Sequence, residues 1–105
     1  IVIDAREHAV DPSMSSEVID MQGNLVYGTI SYSRSKAVNR GPVGYAYSMD
    51  DRNVSQRVGT NPLFVEAVGS LDDDVYITSM DAAKVRDAEK SFGVLSNCRV
   101  MLLLQ

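Results

Sequence analysis

Ser79-Met-Asp-Ala-Ala-Lys-Val-Arg-Asp-Ala-Glu-Lys-Ser-Phe-Gly-Val-Leu-Ser-Asn-Cys-Arg-Val-Met-Leu-Leu-Leu-Gln105 reads as one capped helix followed by one apolar strand. Ser79 can cap the helix, because its hydroxyl accepts from a backbone N–H left unpaired in the first turn. Asp81 places negative charge where the helix dipole favours it. On a 3.6-residue period, Ala82, Val85, Ala88 and Phe92 form one apolar stripe, and Leu95 extends it. Arg86, Asp87 and Lys90 face the other way. Gly93 is a stop signal, since glycine adopts the left-handed conformation that ends many helices. Cys98 to Leu104 is almost wholly apolar, which fits a short strand buried on both faces. A helix laid across a central strand is therefore the expected nucleus of the core.

Upstream, Val75-Tyr-Ile-Thr78 reads as a strand, so Val75–Thr78, the helix and Arg99–Leu104 suggest a βαβ unit. If its two strands are parallel neighbours, the crossover should be right-handed. Glu17-Val-Ile-Asp-Met and Asn24-Leu-Val-Tyr-Gly make a hairpin about Gln22-Gly23-Asn24, where Gly and Asn tolerate positive φ. Its second strand is expected to run on to Tyr32, with Gly28 as a bend. Ser33 to Arg40 carries a short helix ended by Gly41-Pro42, and Val43 to Tyr47 a short strand. A surface helix is expected within Met49 to Gly59, capped by Ser48. Leu63 to Val68 is a strand that Gly69-Ser70 breaks, and Ile1-Val-Ile opens another that runs through Arg6. Glu7 to Ser16, with Pro12 and three serines, reads as a loop or an irregular edge segment. These elements predict an α+β fold: a mixed, largely antiparallel sheet of five to seven strands, the C-terminal helix on one face and a final buried strand.

The 105 residues make a single domain, with 45% apolar and 23% charged residues, the balance of a globular chain. A net charge of −4 without clustered Lys or Arg argues against nucleic-acid binding. The longest apolar run, Val100 to Leu104, falls far short of the ~20 residues of a membrane helix. The opening at Ile1, inside a strand and without Met, suggests a chain trimmed of an N-terminal signal or lipid anchor. The single cysteine, Cys98, permits no internal disulfide and reads as a small core hydrophobe.

Chemistry-bearing residues are few. Asp4 and Arg6 are two apart and share a strand face, as a surface ion pair or as a polar pair at a pocket mouth. His8 stands without the partners that a metal site or a triad requires. Tyr45 and Tyr47, with Tyr27 and Tyr32, either pack across strands with hydroxyls at the rim or form a stacking surface. Asp72-Asp73-Asp74 lacks the alternating ligands, glycine and closing Glu of a calcium loop, and reads as a solvated turn. No phosphate-binding glycine loop, dinucleotide fingerprint or nucleophile elbow is present. No catalytic, cofactor-binding or metal-binding residue is assigned; Asp4, Arg6, His8, Tyr45 and Tyr47 are the candidate interaction surface.

Several words of the sequence occur together in a familiar order. They are Val2-Ile3-Asp4-Ala5-Arg6, then Pro12, Met14 and Val18, then Gly23-Asn24-Leu25-Val26-Tyr27-Gly28 and Val43-Gly44-Tyr45. Asn61-Pro62-Leu63, Ser79-Met80-Asp81-Ala82-Ala83-Lys84 and Asn97-Cys98-Arg99-Val100 follow. In this order they resemble an uncharacterised domain of secreted proteins and lipoproteins of Gram-negative bacteria, delta-proteobacteria especially. That domain is similar to small outer-membrane lipoproteins and to periplasmic flagellar-assembly proteins. Glu7-His8-Ala9 stands where such domains carry Gly-Leu-Gly. The resemblance implies a periplasmic or outer-membrane location, a lipid anchor upstream, and contact with other envelope proteins or self-association, without catalysis. A small-molecule or carbohydrate-binding module using the tyrosine-bearing face is the alternative, and a hydrolase with a carboxylate pair a third.

One consequence concerns the closing strand. Val100→Asp should destabilise the protein by several kcal/mol, because it inserts an unpaired charge into the core. Wild-type stability of that variant in urea unfolding would remove Val100 from the core.

Overall fold

The computed structural model describes residues 1–13 and 16–105, with the Arg40 side chain left aside. Met14 and Ser15, part of the Glu7–Ser16 loop, lie outside the described residues. In chain order the elements are β1 (Val2–Asp4), β2 (Val18–Asp20), β3 (Leu25–Tyr27), a short 3-10 helix (Thr29–Ser31) and α1 (Arg34–Arg40). Then come β4 (Gly44–Ala46), α2 (Arg52–Val58), β5 (Phe64–Glu66), β6 (Gly69–Leu71), β7 (Asp74–Ile77), α3 (Ser79–Phe92) and β8 (Met101–Leu103).

The fold is mixed α and β, but the sheet differs from the one expected. Among the described residues eight strands form two four-stranded sheets, ordered β4-β8-β1-β5 and β3-β2-β7-β6. The first is parallel throughout, with Val2 opposite both Phe64 and Met101, and Gly44 opposite Met101. The second joins two hairpins, β2–β3 and β6–β7, through a parallel β2–β7 pair. A largely antiparallel sheet is what local signals suggest, because only hairpins announce themselves in sequence. The parallel pairings connect segments far apart in the chain. For the same reason there is no βαβ unit at the end: β7 and β8 lie in different sheets, and α3 passes between them.

A parallel sheet must be covered on both faces. Ile3, Val65 and Leu102 share one core with Val18, Tyr27, Val75 and Ile77 of the second sheet and with Ala82 and Val85 of α3. On the other face Val2, Met101, Leu103 and Ala46 pack against Val54 and Val58 of α2. This second cover is narrower. It lies over β4 and β8, while Phe64 and Glu66 of the edge strand β5 remain exposed.

Boundaries shift for local reasons. Thr78, one residue before the expected cap, accepts from the Asp81 N–H at 3.1 Å, so Ser79 is already helical. Gly93 ends α3 in the left-handed conformation, φ 62°. Phe92 leaves the expected stripe and is 76% exposed, because the last turn of α3 faces an open cleft beside Val58, Leu63 and Val94. Asp51, not Ser48, caps α2. Gly69-Ser70 does not break a strand but opens β6. Tyr27 closes β3, and the chain turns into the 3-10 helix instead of running on to Tyr32. Cys98 is buried as expected, but it sits in the turn before β8 with φ 56°, not in the strand.

Asp20 ties the hairpin to the closing helix. One carboxylate oxygen accepts from the Gln22 and Asn24 N–H groups, each at 2.9 Å. The other accepts from the Asn24 side chain at 3.3 Å and from Arg86 of α3 at 3.4 Å. The Asn24 N–H first, then Gln22, the Asn24 amide and Arg86, hold the Asp20 carboxyl below the usual carboxylate range against the opposing effect of burial. A carboxyl depressed in the folded state contributes stability above its unfolded value, about 3.9, that is lost as pH falls through its folded value. Asp20→Asn should therefore lower the urea midpoint at neutral pH, and its deficit relative to wild type should shrink on acidification. A deficit that stays constant from neutral pH into the acid range would remove Asp20 from the acid limb.

Candidate functional site

The carboxyl ends of the parallel strands collect four of the five residues singled out in the sequence. In open sheets of parallel strands, ligands favour this edge. Asp4 ends β1, Glu66 ends β5, and the two are register partners. With Arg6, Glu7 and Ala67 they line a cleft of about 290 Å³. His8 and Tyr47 line a second cleft of about 260 Å³ together with Asp11, Pro12 and Leu104, which follows the end of β8.

Within this cluster the polar groups hold one another. Asp4 and Arg6 do not share a strand face. The chain turns after β1, and Arg6 folds back to grip Asp4 with two parallel bonds, Nε to Oδ1 and Nη2 to Oδ2, both 2.9 Å. The Arg6 backbone N–H adds a third at 3.0 Å. The Arg6 guanidinium holds the Asp4 carboxyl below its ordinary range, and Asp4 raises Arg6 in return. His8 Nε2 lies 3.1 Å from the Ala67 carbonyl oxygen, which can only accept.

Tyr45 is not part of this edge. Its register with Leu102, itself level with Ile3, turns its ring toward the main core. The hydroxyl donates to the Ser13 carbonyl, accepts from the Ser13 N–H at 2.9 Å, and lies 2.7 Å from Ser16 Oγ. It thus ties Ser13 and Ser16 to the edge strand β4. Tyr47, 67% exposed, stands apart from it. The two tyrosines open onto different clefts, and Tyr27 and Tyr32 pack together with ring centres 5.4 Å apart, tilted by 45°. Burial pushes the Tyr27 hydroxyl upward, and it donates to the Pro42 carbonyl.

Two residues that sequence reasoning passed over matter here. Glu66 joins Asp4 only through the parallel β1–β5 register, for which there is no local signal. Arg57 of α2 reaches across Gly44 to donate to the Gly41 and Cys98 carbonyls, at 3.1 and 2.9 Å. A Cβ at position 44 would stand 2.5 Å from Arg57 Nε, so glycine there makes room for the guanidinium. An arginine near the end of a surface helix gives no warning of such a reach. The Asp72–Asp74 run joins β6 to β7 as a turn, with Asp72 at φ 55°. Among the described residues no three His, Cys, Asp or Glu side chains are grouped to hold a metal ion. No helix among them is long and apolar enough to cross a membrane.

The geometry defines a small α/β domain of one parallel and one mixed sheet, with internally paired polar groups at the carboxyl ends of its parallel strands. The family model built on the second domain of Treponema pallidum Tp0624 matches residues 1–105, and the chain belongs to that family. Comparison with curated proteins returns no match.

The two kinds of polar contact should separate in stability measurements. Tyr45→Phe removes the hydroxyl that serves Ser13 and Ser16, and should cost about 1–3 kcal/mol in urea unfolding. Arg6→Ala removes an exposed pair and should leave the midpoint nearly unchanged. The reverse order would make the Asp4–Arg6 pair the structural one.

Proposed function

We propose that this domain is a non-enzymatic structural and protein-contact module of an envelope-associated secreted protein or lipoprotein. The observation that carries the reading is the internal pairing of its candidate groups. Asp4 is gripped by Arg6, His8 lies against the Ala67 carbonyl, and Tyr45 bonds to Ser13 and Ser16. Groups held in this way build a surface and are poorly placed for acid–base work, which needs a group free to exchange its proton with a substrate. The family supports a modular role, because its model describes the second domain of a larger protein. The resemblance to domains of Gram-negative secreted proteins and lipoproteins supports the envelope.

Fractionation of cells that produce the protein tests this reading. The protein should be recovered in the periplasmic or outer-membrane fraction and remain accessible to protease after the outer membrane is opened. Recovery in the cytosol, protected until the cells are lysed, would overturn the envelope assignment.

A further inference from the structure

The amino ends of the parallel strands border a cleft that the candidate site does not use. Ile1 precedes β1, Leu63 precedes β5 and Arg99 precedes β8, and all three line it. Val58 at the end of α2 and Val94 beyond α3 add apolar wall. Another side is α3 itself, where Lys84, Ala88 and Phe92 follow at four-residue steps along one face. Eight residues of helix make this stripe about 12 Å long. The cleft encloses about 520 Å³, more than either cleft at the carboxyl ends. That is within the range of about 300–1,000 Å³ usual for small-molecule sites.

Its charge is one-sided. The charged side chains that line it are Lys84 and Arg99, and no carboxylate does. The Arg99 carbonyl accepts from the Ile1 amine at 2.6 Å, which fixes the backbone there. Its exposed guanidinium makes no hydrogen bond or ion pair among the described residues. Lys84 meets Asp81 at 3.8 Å, a loose surface pair of the kind that contributes little. Burial, and then the Arg99 charge, bring the Ile1 amine down to about 6. Above that value the two side chains supply the positive charge of the cleft. Phe92, at the far end of the α3 stripe, leaves an aromatic ring 76% exposed.

We propose that this cleft binds a single-chain anionic amphiphile, of the class of a medium-chain fatty acid. The alkyl chain lies against Leu63, Ala88 and Phe92, and the carboxylate is held by Arg99 and Lys84. Burying the chain supplies the driving force, and the two cations choose the sign of the headgroup. A peptide would bring backbone N–H and C=O groups that apolar walls cannot satisfy, whereas an alkyl chain brings none. A cationic amphiphile would fill the same space against like charge. No tyrosine lines this cleft, and the proposal goes beyond the protein-contact reading without depending on it.

Titration of the nitrogen-15-labelled protein with sodium decanoate, kept below micelle formation and at a pH above the Ile1 amine's value, tests it by NMR. The amides of Ala88, Phe92 and Val94 should shift and saturate. Decyltrimethylammonium, the same chain with the opposite charge, should bind about tenfold more weakly or worse. Acetate, the charge without the chain, should leave the Phe92 amide where it is. Arg99→Gln with Lys84→Gln should weaken decanoate about tenfold, and so should Phe92→Ala alone. All three side chains are exposed, so melting curves of the variants should match the wild type. If the double variant does not fold, Arg99→Gln alone carries the same expected direction. No saturable binding, equal binding of the cationic amphiphile, or shifts confined to the cleft of His8 and Tyr47 would each overturn the proposal. So would shifts at Phe92 on concentrating the protein without ligand, which would give the cleft to a second copy. Binding to vesicles of anionic phospholipid without binding of decanoate would give it to a lipid surface and overturn it as well. Fractionation of cells bears only on the envelope reading, so either reading can fail while the other stands.

Discussion

The position of β1 governs this fold. It lies between two parallel neighbours, β5 and β8, and no hairpin connects it to either. Its ladder bonds are therefore completed by segments more than sixty positions away in the chain. Val2 and Ile3 are fully buried on opposite faces, so the strand also requires two separate covers. The second sheet and α3 supply one of them, and α2 supplies the other. Much of the remaining architecture follows from protecting both faces of one short parallel sheet.

What could be read in the sequence was local. Gly23 and Asn24 signalled the β2–β3 hairpin, and Gly93 ended α3 where glycine without a Cβ penalty was needed. α1 ended at Gly41 and α2 at Gly59, as the glycines indicated, although Asp51 and not Ser48 caps α2. The parallel pairings were not legible, because nothing in Val2 or Met101 specifies the other as its neighbour. The exposure of Phe92 was equally hidden: its position in the apolar period is correct, but the core ends before the helix does.

The same division runs through the candidate site. The Asp4–Arg6 pair, His8 and Tyr47 were picked out from different parts of the sequence, and the strand ends bring them to one edge. Tyr45 was grouped with Tyr47 by spacing, yet its hydroxyl bonds to backbone that no side-chain pattern marks. Glu66 was missed because its place beside Asp4 depends on a register set by the whole sheet. The Asp4–Arg6 pair was legible because its members are two residues apart, whereas the partners of Tyr45 and Glu66 are products of topology.

The separation of β1 from its neighbours also imposes an order of events during synthesis. Val2 and Ile3 are made before both of their neighbours: β5 follows some sixty residues later and β8 only at Met101. Until then, an apolar segment with unpaired backbone groups is present on the nascent chain. Exposed segments of this kind are sites of premature association, and pairing over long sequence separations is slow. The hairpin of β2 and β3 can close as soon as it is made, but the parallel sheet must wait for the last strand.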